Sequence, residues 1–174
     1  MPEFSPTNPI IASVVRANGV RDNRAPIGPY DGNTSVLSTQ TGGLTDGNIC
    51  FSDRTYRWAK THEGLVGAEY VRVFNSDKRS TTVTYTVTTS RTATVMIAMD
   101  ERILDKQGAA NLATAGFAPG GTFVDTGLDL SIHENTTTDR PQGVFSARLP
   151  AGTYVFSAMP SAYNFNFYTI AAMD

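Results

Sequence analysis

Residues 81–99 read TTVTYTVTTSRTATVMIAM, and the spacing of apolar residues within this stretch decides the fold class. Val83, Tyr85 and Val87 fall on one side of an extended chain, and Thr82, Thr84, Thr86 and Thr88 on the other. After Ser90-Arg91 the alternation resumes with Val95, Ile97 and Met99. A period of two means a β-strand with one buried face, and two such runs across a short connection predict an antiparallel hairpin. Threonine on the outer face is suited to a solvated sheet.

The same pattern repeats outward from this centre. Residues 10–15 are rich in β-branched residues and read as a first strand. Residues 18–32 are dense in Pro, Gly, Asn and Asp and read as a long loop. Short strands are expected at 35–38, 49–51, 55–58 and 68–74. Further strands are expected at 122–125, 128–133, 144–149, 153–158 and 166–171, with 144–149 and 153–158 paired through Pro150-Ala151-Gly152. Residues 135–143 read as a polar loop, and GAANLATA at 108–115 as a short helix. Short strands at regular spacing predict an all-β sandwich of two antiparallel sheets, with one short helix. Residues 1–9 are expected to be a disordered leader or a cloning remnant, and residues 10–174 one β-sandwich domain.

Composition narrows the function. The chain has 174 residues, 17% of them charged, and a formal net charge of -2. No basic field is available for nucleic acid or anionic lipid. Surface polarity comes largely from hydroxyls, with 23 threonines. Cys50 is the sole cysteine and lies in an apolar run, so a buried, inert thiol is expected. No 18-residue apolar stretch predicts a membrane span. The first residues, MPEFSP, lack the charged and apolar regions of a signal peptide. A domain excised from a longer exported chain is the preferred explanation.

An ordered set of short motifs carries a family resemblance. Phe51-Ser52-Asp53-Arg54-Thr55-Tyr56 is similar to a "Y-S-D-R-x-Y" strand, and Leu65-Val66-Gly67-Ala68-Glu69-Tyr70-Val71 to "L-x-G-A-x-Y-I". Asn75-Ser76-Asp77-Lys78 is similar to "N-x-D-K", and residues 95–102 (VMIAMDER) to "V-Y-V-A-Y-D-x-R". Leu149-Pro150-Ala151-Gly152-Thr153 resembles "F-P-A-G-x-V", and Phe167-Tyr168-Thr169-Ile170 a closing strand. Together they cover about residues 44–172. They resemble the galactose-binding-like β-sandwich domains appended to secreted bacterial polysaccharide lyases, glycosidases and sulfatases. The family often has a Trp-Leu pair after the D-x-R strand, where Asn111-Leu112 stands here.

The resemblance implies a jelly-roll sandwich, an extracellular location, and a noncatalytic carbohydrate-binding or accessory role beside a catalytic domain. Its partners would be a polysaccharide or oligosaccharide and that neighbouring domain. The alternative is a structural or oligomerising β-sandwich without glycan affinity.

Sugar binding needs an aromatic ring for the apolar face of a pyranose and planar polar groups for its hydroxyls. Candidate ligand contacts are Tyr30 in the long loop, Tyr56, Arg57 and Trp58, and Tyr163 with Asn164. Core packing competes with ligand contact for Tyr56, Trp58 and Phe165, because large aromatics are mostly buried. Asp53-Arg54, Asp77-Lys78 and Asp100 with Arg102 set opposite charges close in sequence. They are expected to form a structural charge network that ties strand ends to loops. Asp53 is not expected to pair with Arg54 if both are extended, since neighbours point to opposite faces.

Asp31-Gly32-Asn33 and Asp46-Gly47-Asn48 offer oxygen ligands for a structural calcium, but turn formation is the better account of both. No nucleophile elbow, phosphate loop or HExxH stretch is present. A two-carboxylate glycosidase would draw on Glu69, Asp100 or Glu134.

Overall fold

The structure, a computed structural model, describes residues 9–20, 43–107, 123–159 and 165–174. The expected strand at 35–38, the helix at 108–115 and the Asp31-Gly32-Asn33 turn lie outside these residues, as do Tyr30, Tyr163 and Asn164.

Two antiparallel sheets form a β-sandwich. Strands β1 (Ile11–Ala17), β4 (Thr84–Thr89) and β8 (Gly152–Ser157) make a three-stranded sheet in the order β1-β4-β8. The second sheet contains β2 (Arg57–Ala59), β3 (Glu69–Tyr70), β5 (Ala93–Asp100), β6 (Val124–His133), β7 (Asp139–Leu149) and β9 (Thr169–Met173). Its order is β2-β6-β7-β5-β9-β3. The one described α-helix, α1 (Glu101–Gln107), follows β5 directly and packs on β5 and β7.

The alternation in β4 is the expected one. Val83, Tyr85 and Val87 are buried, while Thr84, Thr86 and Thr88 stay half-exposed. Burying side chains of this size stabilises the fold by about 2 kcal/mol each. The expected hairpin, however, does not form. β4 pairs with β1 and β8, and β5 pairs with β7 and β9. The chain crosses between sheets at Ser90, whose N–H donates to the Ile10 carbonyl (2.8 Å) and whose hydroxyl donates to the Pro9 carbonyl (2.6 Å). β5 differs from β4 in kind, because all of it from Val95 to Asp100 is buried. A strand covered on both faces belongs at the centre of a sheet and not beside a half-wet neighbour.

The pairing of 144–149 with 153–158 is corrected in the same way. β7 and β8 lie in different sheets, and Pro150-Ala151 turns the corner between them. Residues 139–143, expected in a polar loop, begin β7. They pair with β6 from His133↔Asp139 to Asp129↔Gly143. Val124 and Asp125 of the first expected run join the run 128–133 in one strand, β6, with an irregularity between Asp125 and Asp129 where Gly127 adopts φ +68°. Ile49 makes only an isolated bridge with Arg57, so 49–51 is not a strand.

The core is one cluster of buried side chains, among them Trp58, Tyr70, Tyr85, Phe156, Phe167 and Tyr168. Tyr85 and Phe167 link the sheets, with ring centroids 5.9 Å apart, and the Tyr85 hydroxyl accepts the Phe74 N–H at 2.8 Å. Cys50 is buried in this core as expected, and burial pushes its thiol well above the ordinary range.

Gly43 closes the 44–47 turn onto the segment before β3. Its φ is +60°, and a Cβ there would stand 2.4 Å from the Ala68 carbonyl oxygen. Gly43→Ala is therefore expected to destabilise the fold by about 2–3 kcal/mol, read as a lower urea midpoint at unchanged slope.

Two surface carboxylates give the fold an acid limit. The Thr61 N–H holds the Asp46 carboxyl below its usual range, and the Lys60 ammonium does the same for Asp139. A depressed native value means their stabilisation is complete above the ordinary value of 3.8 and is lost as pH falls through the lowered one. Burial raises Glu69, so its contribution has the opposite slope and declines as pH rises past 4.5. Stability is expected to drop below about pH 4, and Asp46→Asn to flatten that limb in a pH series of thermal melts. An unchanged limb would remove Asp46 from the account.

Candidate functional site

The polar groups converge at one end of the sandwich. Four segments meet there: the bend at 52–54, the 3-10 turn Asn75–Arg79, the start of α1, and Phe165-Asn166 before β9. Glu134 and Arg140, at the joined ends of β6 and β7, complete it.

Asp53 is the buried anchor. One of its carboxylate oxygens accepts the Asn75 N–H (2.8 Å), and the other accepts the Ser76 N–H (3.0 Å) and Arg54 Nη1 (2.8 Å). The condition under which Asp53 and Arg54 would stay apart, an extended chain at both, is not met. The chain bends at 52–53, so Arg54 folds back onto both the carboxylate and the carbonyl of Asp53, and its second nitrogen reaches the Ser76 hydroxyl (3.2 Å).

From Asn75 the network passes to Asn166, whose carbonyl oxygen accepts the Asn75 amide at 3.1 Å. Asn75 in turn accepts the Phe167 N–H at 2.8 Å. The Asn166 amide donates to Glu134 Oε1 (3.2 Å), which also faces Arg140 Nε (3.2 Å) and Arg102 Nη2 (3.9 Å). Arg102 is held by two bonds to Asp100, at 2.9 and 2.6 Å, and its guanidinium sits 4.5 Å over the Phe165 ring. The pairing lifts Arg102 above its ordinary range. A guanidinium stacked on a ring and gripped at its edge is set in one orientation.

Asp77 and Lys78, adjacent in sequence, part company. Asp77 points inward to Arg16 and Tyr85, away from the rim. Lys78 is half-buried, and its neighbours include Arg54, Arg79, Glu134 and Asp53. Burial first, then the two guanidiniums, lower its ammonium from the usual lysine range.

The other candidates lie elsewhere. Trp58 is 1% exposed and packs edge-on against Tyr70 at 5.7 Å, so it presents no face to a ligand. Tyr56 is half-buried, edge-on to Phe51 at 6.1 Å. Arg57 is exposed and donates to the Gly47 carbonyl (2.6 Å). Asp46-Gly47-Asn48 forms a turn in which Asp46 accepts the Thr61 N–H (2.9 Å) and the Asn48 amide donates to the Gly43 carbonyl (2.8 Å). Among the described residues no group of three or more His, Cys, Asp or Glu is placed to hold a metal ion.

Of the candidate acids, Asp100 and Glu134 meet at Arg102 and are already bound by cations and amides. Glu69 is far from them. It pairs through Ala172 to the level of Val95, five residues along β5 from Asp100. At about 3.4 Å per residue that is roughly 17 Å, beyond the 5–9.5 Å of paired glycosidase carboxylates.

Sequence reasoning missed Arg140, which it left in a loop, while Phe165, for which core packing was weighed against ligand contact, is half-buried and packs against the core. The interleaving of Asn with aromatics at 163–166 was the available signal for Phe165 and Asn166.

No protein-family model and no curated protein matches the chain. Among solved structures it is similar to a beta-glucuronidase from glycoside hydrolase family 2, with a TM-score of 0.53 and 17% sequence identity. The match covers 76% of this chain and 13% of that enzyme. The likeness is one of fold. Among the described residues no helix is long and apolar enough to cross a membrane.

Proposed function

We propose that this chain is a noncatalytic carbohydrate-binding domain of a secreted polysaccharide-degrading enzyme, holding that enzyme on its glycan. The observation that carries the reading is the rim where the Arg102 guanidinium lies over the half-buried Phe165 ring, with Glu134 and Arg140 paired next to Arg102. Planar donors and acceptors next to an aromatic ring suit sugar hydroxyls and the apolar face of a pyranose. The fold likeness to a small part of a glycoside hydrolase supports the accessory role. Tyr30, Tyr163 and Asn164 remain proposed ligand contacts. Isothermal titration against a panel of soluble and insoluble glycans tests the reading, with Phe165→Ala and Tyr163→Ala as variants. Saturable binding weakened by Phe165→Ala is expected, and absence of binding to every glycan would overturn it.

A second reading, a structural domain that packs on a neighbour, is favoured by the outer face of the three-stranded sheet. Val15, Thr86 and Val155 form one row across it, flanked by Ser13-Thr88-Thr153 and Ala17-Thr84-Ser157. Val15 and Val155 are exposed, and these nine positions carry no charge. A stable oligomer by light scattering, with no glycan affinity, would favour this reading.

A further inference from the structure

Strand β8 (GTYVFS, Gly152–Ser157) ends the three-stranded sheet, and among the described residues it pairs with β4 alone. Alternate residues of an antiparallel strand aim their N–H and C=O groups at opposite neighbours, so half of its backbone groups face the open side. An open edge is a template for a further strand unless the sequence blunts it with charge, proline, a bulge or brevity. The other edges of the two sheets are blunted. β2 has three residues and β3 two. β1 turns Arg16 inward to Asp77 and has a register irregularity between Ile11 and Ser13, and the Glu69 carboxylate accepts the N–H groups of Ile10 and Ile11. β8 has none of these devices: six residues, no charge, no proline, and unbroken pairing with β4 from Gly152 to Ser157.

The partner this edge fits can be read from β8 itself. From either end, residues 153–157 run hydroxyl, aromatic, Val, aromatic, hydroxyl. Thr153 and Val155 are exposed on the outer face, while Phe156 is buried and Tyr154 half-buried on the inner one. Direct antiparallel partners share a face, so a two-fold axis relating two copies of a strand passes through a residue and not between two. An axis at Val155 uses all five of these residues and matches each with its own kind: Thr153 with Ser157, Tyr154 with Phe156, and Val155 with itself. Such a pairing brings no like charges together and covers part of Val155, which is 47% exposed.

We infer that β8 pairs with β8 of a second copy about a two-fold axis at Val155, making one six-stranded sheet across a homodimer. A single edge is smaller than the roughly 800 Å² per partner of a standard stable interface, so the dimer forms as concentration rises and is not obligate. No residue of β8 belongs to the rim, and the inference does not depend on the carbohydrate-binding reading.

Sedimentation velocity from about 10 μM to about 1 mM tests this, with the mass expected to rise from 18.7 kDa toward twice that value. Val155→Lys opposes two ammonium groups and is expected to weaken the dimer about tenfold or more, at a melting temperature near the parent because the side chain is exposed. Mixing Val155→Lys protein with Val155→Glu protein is expected to restore the dimer, because the axis sets position 155 against itself. Thr86→Lys, on the same outer face but one strand in from the edge, is expected to leave the dimer intact. If Val155→Lys fails to fold, Val155→Cys takes its place. Copper-catalysed oxidation is expected to link two such chains, since direct partners lie about 4.5–5.5 Å apart at Cα and Cys50 is buried. A chain monomeric throughout the range overturns the inference. So does a dimer that survives Val155→Lys, a Lys–Glu mixture that stays monomeric, or a Val155→Cys chain that does not cross-link. Loss of the dimer with Thr86→Lys also overturns it and assigns face-to-face stacking of the sheets instead. Glycan titration decides the carbohydrate-binding reading separately, whichever way the dimer falls.

Discussion

Replacing Asp77 with alanine is expected to cost about 3–5 kcal/mol of stability, a large share of the roughly 5–15 kcal/mol that holds a domain folded. The side chain is fully buried, and each oxygen accepts two hydrogen bonds. One takes Arg16 Nη2 (2.7 Å) and the Val20 N–H (2.8 Å), and the other takes Arg16 Nε (2.8 Å) and the Tyr85 hydroxyl (2.6 Å). Removing the carboxylate strands Arg16, which is itself mostly buried over the Phe74 ring at 4.0 Å. It also leaves the Val20 N–H and the Tyr85 hydroxyl without this acceptor. The loss is thus dominated by the groups left behind and not by the pair's net worth.

A double-mutant cycle separates these terms. Arg16→Met removes the stranded cation, so Asp77→Ala combined with Arg16→Met should be less destabilised than the sum of the single changes. Urea unfolding gives each value, and for a chain of this size the single variant should melt roughly 10 °C lower. A loss below about 1 kcal/mol for Asp77→Ala would mean that the carboxylate is solvated and the pair is a surface one.

The residues also show what a linear reading can and cannot reach. Thr-Val-Thr-Tyr-Thr-Val states its own geometry, because a half-wet strand must alternate, and β4 does. Which strand it pairs with is not a local property. β4 and β5 are neighbours in sequence across Ser90-Arg91, yet each finds its partners tens of residues away. The hint was in β5 itself, where Met96 and Ala98 fill the face that would be polar in a hairpin arm. Charges behaved similarly. Asp100 and Arg102 pair because β5 turns directly into α1 between them. Asp77 and Lys78, equally close in sequence, separate because the 3-10 turn sends one inward and the other to the rim. Arg140 gained its place only when β6 and β7 came together, so no local motif marked it.

Trp58→Ala is expected to cost about 3–5 kcal/mol as a cavity-forming core truncation. Trp58 lies in β2 opposite Ile132 of β6, and its ring meets the edge of Tyr70, whose hydroxyl donates to the Ile49 carbonyl at 2.6 Å. Loss of the indole removes the support of Tyr70 and of the 44–51 segment together. Glycan affinity, by contrast, should be unchanged in whatever fraction remains folded, since a ring 1% exposed cannot touch a sugar. Trp58→Phe sharpens the argument. The indole Nε1 is buried with no hydrogen-bond partner among the described residues, so phenylalanine loses volume but also sheds an unsatisfied donor. Its cost should fall to about 1–2 kcal/mol, and the ratio of the two costs is what chemical denaturation checks. A Trp58→Ala protein that keeps its melting temperature but loses affinity would instead mean that the ring turns outward to meet the ligand.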